Sequence, residues 1–142
     1  MPAATDEQQI IALLTRYATG IDRRDWTLFQ SCFTDDARTD YGTFGQCSSA
    51  AQITAFMREA HAGMGHTLHR LSNFVISAQE NSAVARTYVD ALLMPGDGGG
   101  EVHRGVGFYD DELVKTEQGW RIKFRRFTAV QITATTPPTA SA

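Results

Sequence analysis

The chain has 142 residues, 42% of them hydrophobic and 20% charged, which suits one globular domain around a single core. Thirteen basic against sixteen acidic side chains leave a formal charge of −3, so no basic field exists to attract phosphate backbones or anionic lipid, and neither nucleic acid nor a membrane is expected as a partner. The apolar runs, such as residues 9–17, fall well short of the roughly 20 residues that cross a bilayer, and MPAATDEQQ has no charged-then-apolar leader, so a soluble, cytoplasmic protein is expected.

In chain order, Thr5 followed by Gln8 matches a capping box, and Ile10, Leu13, Leu14, Tyr17 and Ile21 recur at three- and four-residue spacing. The spacing predicts a helix over about residues 6–21. Asp25 can cap a second, short helix through Trp26, Leu28, Phe29 and Cys32, ended by the TDD turn signal at 34–36. Residues 38–44 read as a short strand. Ser48 or Ser49 caps a third helix carrying Ile53, Phe56, Met57 and Ala60, stopped by Gly63 and Gly65.

From Leu68 onward β-branched and aromatic runs take over at 68–79, 82–94, 101–115 and 119–133, joined by QEN, PGDGGG and TEQG loops. Four such runs in succession predict an antiparallel meander. The fold class is therefore α+β, a cone-shaped barrel in which three N-terminal helices pack on a strongly curved antiparallel sheet and leave a cavity at the open end. Residues 1–133 form the single domain, and 134–142, which cannot bury enough apolar surface to order itself, form a flexible tail. Cys32 and Cys47 lack a C-x-x-C arrangement and are expected to stay reduced and to do no chemistry.

Asp22, at the end of the first helix, and His69, opening the run HRLSNFVI, are the candidate catalytic pair. A carboxylate that accepts a hydrogen bond from one imidazole nitrogen leaves the other basic, the least equipment needed to remove a proton from carbon. The plainer alternatives are that Asp22 caps the next helix or pairs with Arg23 or Arg24, and that His69 is a satisfied core histidine. Strict alternation puts His69, Leu71, Asn73 and Val75 on one strand face, so Asn73 is a polar neighbour of His69 in the substrate site. His66 reads as a loop residue and His61 as an exposed helix end, and no spacing among the histidines supports a metal site. His103 alternates with Gly105, Gly107 and Tyr109, away from the more apolar Val106 and Phe108, unless a bulge at the glycines reverses the parity. Of Arg125 and Arg126 at most one faces inward, and Arg126 there would suit an anionic group or an oxyanion. Trp120 reads as a core anchor.

Over nearly its whole length the chain resembles the SnoaL-like branch of the nuclear transport factor 2-like superfamily, in the order of its elements, in IDRRDWTLFQSCFTDDARTDYGTFG, in HTLHRLSN and in GFYDDELVKTEQGWRIKF. Within it, DRRDW, LFQSC and DYGTF are similar to the scytalone dehydratases, and GIDRRD and HTLH to the hexachlorocyclohexane dehydrochlorinases. The resemblance implies an elimination with Asp22 and His69 as the paired base, Tyr41 as the polarising hydroxyl and Phe44 as a wall residue. Where the dehydratases have a second histidine this chain has Leu93, Met94 or Gly96, and their serine and asparagine fall near Val106 and Phe108. Where the dehydrochlorinases have a lysine stands Tyr17, and near their arginine stands Phe127.

Together these readings predict a cofactor-independent lyase, with loss of water favoured over loss of formaldehyde or halide. Tyr41, with Tyr17, hydrogen-bonds the oxygen that gains charge, and Trp26, Phe44, Phe56, Met57, Val106 and Phe108 line a site for a small hydrophobic substrate, aromatic or polycyclic. No nucleotide or flavin fingerprint and no metal-ligand spacing is present, so neither cofactor nor metal is expected. The alternatives are an isomerase or cyclase using the same base, and a ligand-binding domain without turnover. An epoxide hydrolase would need a second inward acid, for which Asp90 is the only candidate. Apolar residues on both sides of the sheet predict a homo-oligomer, and the resemblance favours a trimer over a dimer.

Overall fold

The first helix starts where its cap dictates. In the computed structural model, which describes residues 2–97 and 99–136, the Thr5 hydroxyl accepts from Gln8 N–H while the Gln8 side chain accepts from Thr5 N–H, opening α1 (Asp6–Asp22). Its stripe of Ile10, Leu13, Leu14, Tyr17 and Ile21 is fully buried. Asp25 accepts from Leu28 N–H to start α2 (Trp26–Gln30), and Ser49 accepts from Gln52 N–H to start α3 (Ala50–His61). Gly20 lets the first two helices touch, because a Cβ there would stand 2.9 Å from the Phe29 backbone.

Six strands form one open sheet: β1 (Phe33–Asp40), β2 (Gln46–Cys47), β3 (Met64–Gln79), β4 (Ser82–Pro95), β5 (Val102–Thr116) and β6 (Gly119–Thr135), in the order β2-β1-β6-β5-β4-β3. The last four make the expected antiparallel meander, and β1 lies parallel to β6. The sheet is curved and its edges do not meet, so the fold is an α+β cone rather than a closed barrel. Trp120 is the anchor expected of it: its indole N–H donates to Asp6 Oδ1 at 3.0 Å and ties the last hairpin to the start of α1.

Four local expectations change. The TDD segment at 34–36 is not a turn but part of β1, with Asp35 and Asp36 exposed and Ala37 buried; it is the irregular stretch between Phe33 and Arg38, whose pairing with β6 on either side keeps the strand going. That strand stops at Asp40, and Gly42–Phe44 form a 3-10 turn before the short β2. The third strand begins at Met64 instead of Leu68, which puts His66 in a strand and sets Gly65 in the irregular step between the paired Met64 and Thr67, where a Cβ on it would lie 2.5 Å from the Pro95 oxygen. At the other end, β6 runs through Thr135, two residues into the segment read as a tail, and 137–142 lie outside the described residues.

Three interruptions of the ladder decide which side chains face the helices. The register of β3 on β4 shifts between Ser72 and Val75, where Asn73 takes φ 54°, and the register of β5 on β6 shifts at Lys123 and again at Val130. Each inserts one residue, reverses the parity beyond it and bends the strand. Past Asn73 the inward residues are Phe74 and Ile76, with Val75 69% exposed; past Lys123 they are Arg125 and Phe127. These bends give the sheet the concave face on which the core and the cavity sit.

Candidate active site

Asp22 is the last residue of α1 and points at β3. The chain turns away immediately after it through Arg24, whose φ of 56° is left-handed and whose guanidinium donates to Ile21 O, Thr67 Oγ1 and Gly65 O. The helix end is thereby fixed against the third strand. Asp22 Oδ1 accepts from His69 Nδ1–H at 2.7 Å and from the Thr67 hydroxyl at 2.9 Å, and Oδ2 accepts from the His69 backbone N–H at 2.9 Å. Burial pushes the Asp22 carboxyl up, but the hydrogen bonds from His69 and Thr67 outweigh it and hold the group below the ordinary carboxylate range. An ionised Asp22 can only accept, so Nδ1 carries the imidazole proton and Nε2 of neutral His69 keeps its lone pair.

His69 forms part of the wall of a cavity of about 360 Å³, whose surface is mainly apolar. Tyr41, Phe44, Phe56 and Met57 are on the same wall. Tyr41 stacks on Phe56 with ring centres 5.7 Å apart, and its hydroxyl lies 2.9 Å from that of Tyr17. Burial keeps both phenols well above their ordinary pKa, so they are neutral hydrogen-bonding groups rather than bases. A larger hollow, about 630 Å³, lies at the hairpin end of the sheet near Thr34, Ser77 and Val114, and it holds none of the candidate residues.

Six residues expected in the substrate site lie elsewhere. Tyr17 is fully buried behind Tyr41 and reaches the cavity only through that hydroxyl contact. Trp26 packs on the rings of Phe29 and His61, one layer behind the wall. Asn73 is exposed at the bulge it forms. On β5 the inward side is the small one: Gly105 and Tyr109 line the cavity, while Val106 and Phe108 face the other way and Phe108 carries the Arg86 guanidinium 4.4 Å above its ring. Gly107 sits where the neighbouring strand comes close, since a Cβ built on it would run into the Thr128 carbonyl oxygen and stand 3.0 Å from the Phe127 ring, whereas a Cβ on Gly105 would meet nothing within 4 Å. His103 shares their side and therefore lines the cavity mouth, contrary to the reading that took the apolar side as inward. Finally, the extra residue at Lys123 turns Arg126 outward to Asp40, at 3.4 Å, and Arg125 inward.

The inward Arg125 is not a ligand group on the wall but a fully buried cation. It makes two hydrogen bonds to Asp111, at 2.7 and 2.8 Å, and lies between the rings of Tyr17 and Tyr109, at 4.2 and 3.8 Å. Burial opposes its charge, and Asp111 more than compensates, keeping the guanidinium protonated above its ordinary value. His61 is also misread by position alone: it ends α3 yet is only 7% exposed, on the cavity wall, with its ring 5.8 Å from that of His69. Cys32 is buried, which pushes its thiol up to about 11, and both cysteines are free. Among the described residues no cluster of three His, Cys, Asp or Glu is placed to hold a metal, and no helix is long and apolar enough to cross a membrane.

Several solved structures share this arrangement of elements. A Novosphingobium aromaticivorans protein provisionally titled an aromatic ring hydroxylase is 27% identical, with a TM-score of 0.84 over 95% of this chain and 96% of that one. A second protein of that organism, provisionally titled a scytalone dehydratase, is 19% identical, with a TM-score of 0.82 over 94% and 93%. A hexachlorocyclohexane dehydrochlorinase from Novosphingobium barchaimii LL02 is 15% identical, with a TM-score of 0.79 over 92% and 93%. The last two likenesses concern the fold alone. The model of the SnoaL-like domain matches residues 2–126, nearly the whole of the described structure, and the chain therefore belongs to the SnoaL-like family.

Proposed function

We propose that this protein is a cofactor-independent lyase acting on a small hydrophobic, aromatic substrate, with Asp22 and His69 as its general base. The observation that carries the reading is the 2.7 Å contact between Asp22 Oδ1 and His69 Nδ1, which leaves a lone pair on Nε2 of a side chain that borders an apolar cavity. His69 takes a proton from carbon beside an activating group, Asp22 stabilises the imidazolium so formed, and the electrons of the broken C–H bond make the new double bond as the leaving group departs. Tyr41 donates its hydroxyl to the oxygen that gains charge or leaves, and Tyr17 holds that hydroxyl in place. With water as the leaving group, the proton taken by His69 ends on the departing hydroxide.

The cavity is at the small end of ligand sites, which run from about 300 to 1,000 Å³, so one or two fused rings suit it. Aromatic substrates are also suggested by the names given to the Novosphingobium relatives, and elimination by the dehydratase and dehydrochlorinase among them. The outer sheet face exposes Val75, Val84 and Val130, which supports a homo-oligomer, and the resemblance to the dehydratases favours a trimer over a dimer. The test is incubation with aromatic alcohols and β-hydroxy carbonyl compounds, followed by mass spectrometry. Loss of a small fragment by the wild-type chain and its absence with His69→Ala supports the proposal. Turnover that survives H69A overturns it, and a product that keeps the substrate's mass in H₂O but gains deuterium in D₂O marks isomerisation instead.

A further inference from the structure

His61 takes no part in the reaction proposed above, yet it lines the cavity and one of its buried ring nitrogens has no hydrogen-bond partner among the described residues. Its Nδ1 lies 2.8 Å from the Met57 carbonyl, one helical turn back. A carbonyl only accepts, so Nδ1 carries the hydrogen and the lone pair of the neutral ring is on Nε2. Burial, with His69 and Arg24 nearby, holds the ring below the usual histidine pKa and keeps it neutral. Nε2 is buried and has no hydrogen-bond partner among the described residues. Buried acceptors are nearly always satisfied, so an unmet one on the wall of an apolar cavity requires an explanation. Trp26 backs the ring at 6.2 Å and His69 flanks it at 5.8 Å.

We infer that His61 reads the substrate: its Nε2 accepts a hydrogen bond from a hydroxyl carried on the substrate ring, so the substrate is a phenol or enol rather than a bare hydrocarbon or halocarbon. This deepens the proposed function and rests on the cavity being the substrate site. The two imidazoles then divide the work. His69 meets a C–H bond, and His61 fixes the ring by an O–H bond beside it. A wall built to accept a hydroxyl proton discriminates strongly against an analogue that lacks one, because the acceptor is left unpaired when that analogue binds.

The probes are 2-naphthol and 2-methylnaphthalene, which differ in the donor and little in shape, titrated into the full chain and followed by calorimetry and by the imidazole nitrogen resonances of the ¹⁵N-labelled protein. The ratio of the two affinities should fall about tenfold in His61→Phe, the loss of one neutral hydrogen bond. It should stay near wild type in His61→Gln, which restores an acceptor. In the wild-type chain the His61 Nε2 resonance should move with 2-naphthol and not with 2-methylnaphthalene, a readout that needs no variant to fold. An unchanged ratio in H61F, an unmoved His61 resonance at saturating 2-naphthol, or no binding of 2-naphthol at all would each overturn the inference. His69→Ala separates this result from the lyase reading: it removes turnover if His69 is the base, while the His61 Nε2 resonance still moves with 2-naphthol.

Discussion

Two carboxylates in this molecule hold a cation or a proton across elements, and they are built for opposite purposes. Asp111 and Arg125 are both wholly shut off from solvent, joined by two bonds and closed in by aromatic rings. Asp22 and His69 keep 21% and 9% of their side-chain surfaces exposed, and the imidazole abuts the cavity. A guanidinium never gives up its proton near neutrality, so the first pair is a fixed charge that holds Tyr17 and, through it, Tyr41. Asp22 keeps one oxygen on the His69 backbone N–H, so the carboxylate stays in place whether or not the ring is charged. One pair is scaffold, and under the proposed mechanism the other works.

The largest effect expected from this contrast is on turnover. His69→Ala should lower kcat by roughly 10³-fold or more, within the range of a positioned general base, with ligand affinity nearly kept. Asp22→Asn should cost roughly as much, because an amide can present its NH₂ to Nδ1 and strand the proton on Nε2. Steady-state kinetics on the substrate found by mass spectrometry checks both. Neither change should shift the urea midpoint far, since this pair is partly hydrated. Next comes stability. Arg125→Met leaves the Asp111 carboxylate buried without its cation and should cost about 3–5 kcal/mol in urea unfolding, while Arg125→Met with Asp111→Leu should recover most of it. If the costs fell the other way, with Asp22→Asn unfolding the chain and Arg125→Met neutral, the division into scaffold and working pair would be wrong.

The same contrast explains what could be read from the residue order. Helix caps and apolar spacing announced all three helices, and alternation announced the meander, because these are local signals. Asp22 and His69 were legible through resemblance and simple position: a helix end and a strand start. Asn73, Val106, Phe108 and Arg126 were misplaced because facing was inferred from unbroken alternation or from which side was greasier. The bulges at Asn73 and Lys123 add one residue each, and no strand-forming preference marks them, apart from an asparagine that tolerates left-handed backbone. Glycines can face inward where the backbone of the next strand comes close, as the Thr128 carbonyl and the Phe127 ring do beside Gly107. The β1 to β6 pairing, the Arg125 sandwich and the inward His61 are products of tertiary packing that neighbours in sequence do not foretell.

A smaller loss should follow at the hinge between the two pairs. Tyr41→Phe removes the proposed donor and should lower kcat roughly 10²-fold with little change in KM, as for a single oxyanion donor. Tyr17→Phe removes only its support and should cost less than Tyr41→Phe. Equal losses would mean that Tyr17 also meets the substrate, which its full burial argues against.

The smallest effects separate the groups by pH. The folded-state pKa of Asp22 is lowered, so its contribution to stability is fully present above the unfolded value near 3.9 and is lost as pH falls through the folded value. His61 is also lowered, and because its neutral form is the one accommodated, its contribution is present above about 6.5 and is lost as pH falls through its folded value, in a window that opens at higher pH than that of Asp22. Melting temperature followed from pH 8 to pH 2 should therefore fall in two stages. His61→Phe should flatten the upper one and Asp22→Asn the lower. Thr67→Val, which deletes one donor to Asp22 Oδ1, should move the lower stage toward higher pH without touching the upper, because the carboxylate then holds its charge less tightly. A Thr67→Val profile that coincides with wild type would show that the hydroxyl bond contributes nothing to keeping Asp22 ionised, and that the His69 ring and backbone hold the charge alone.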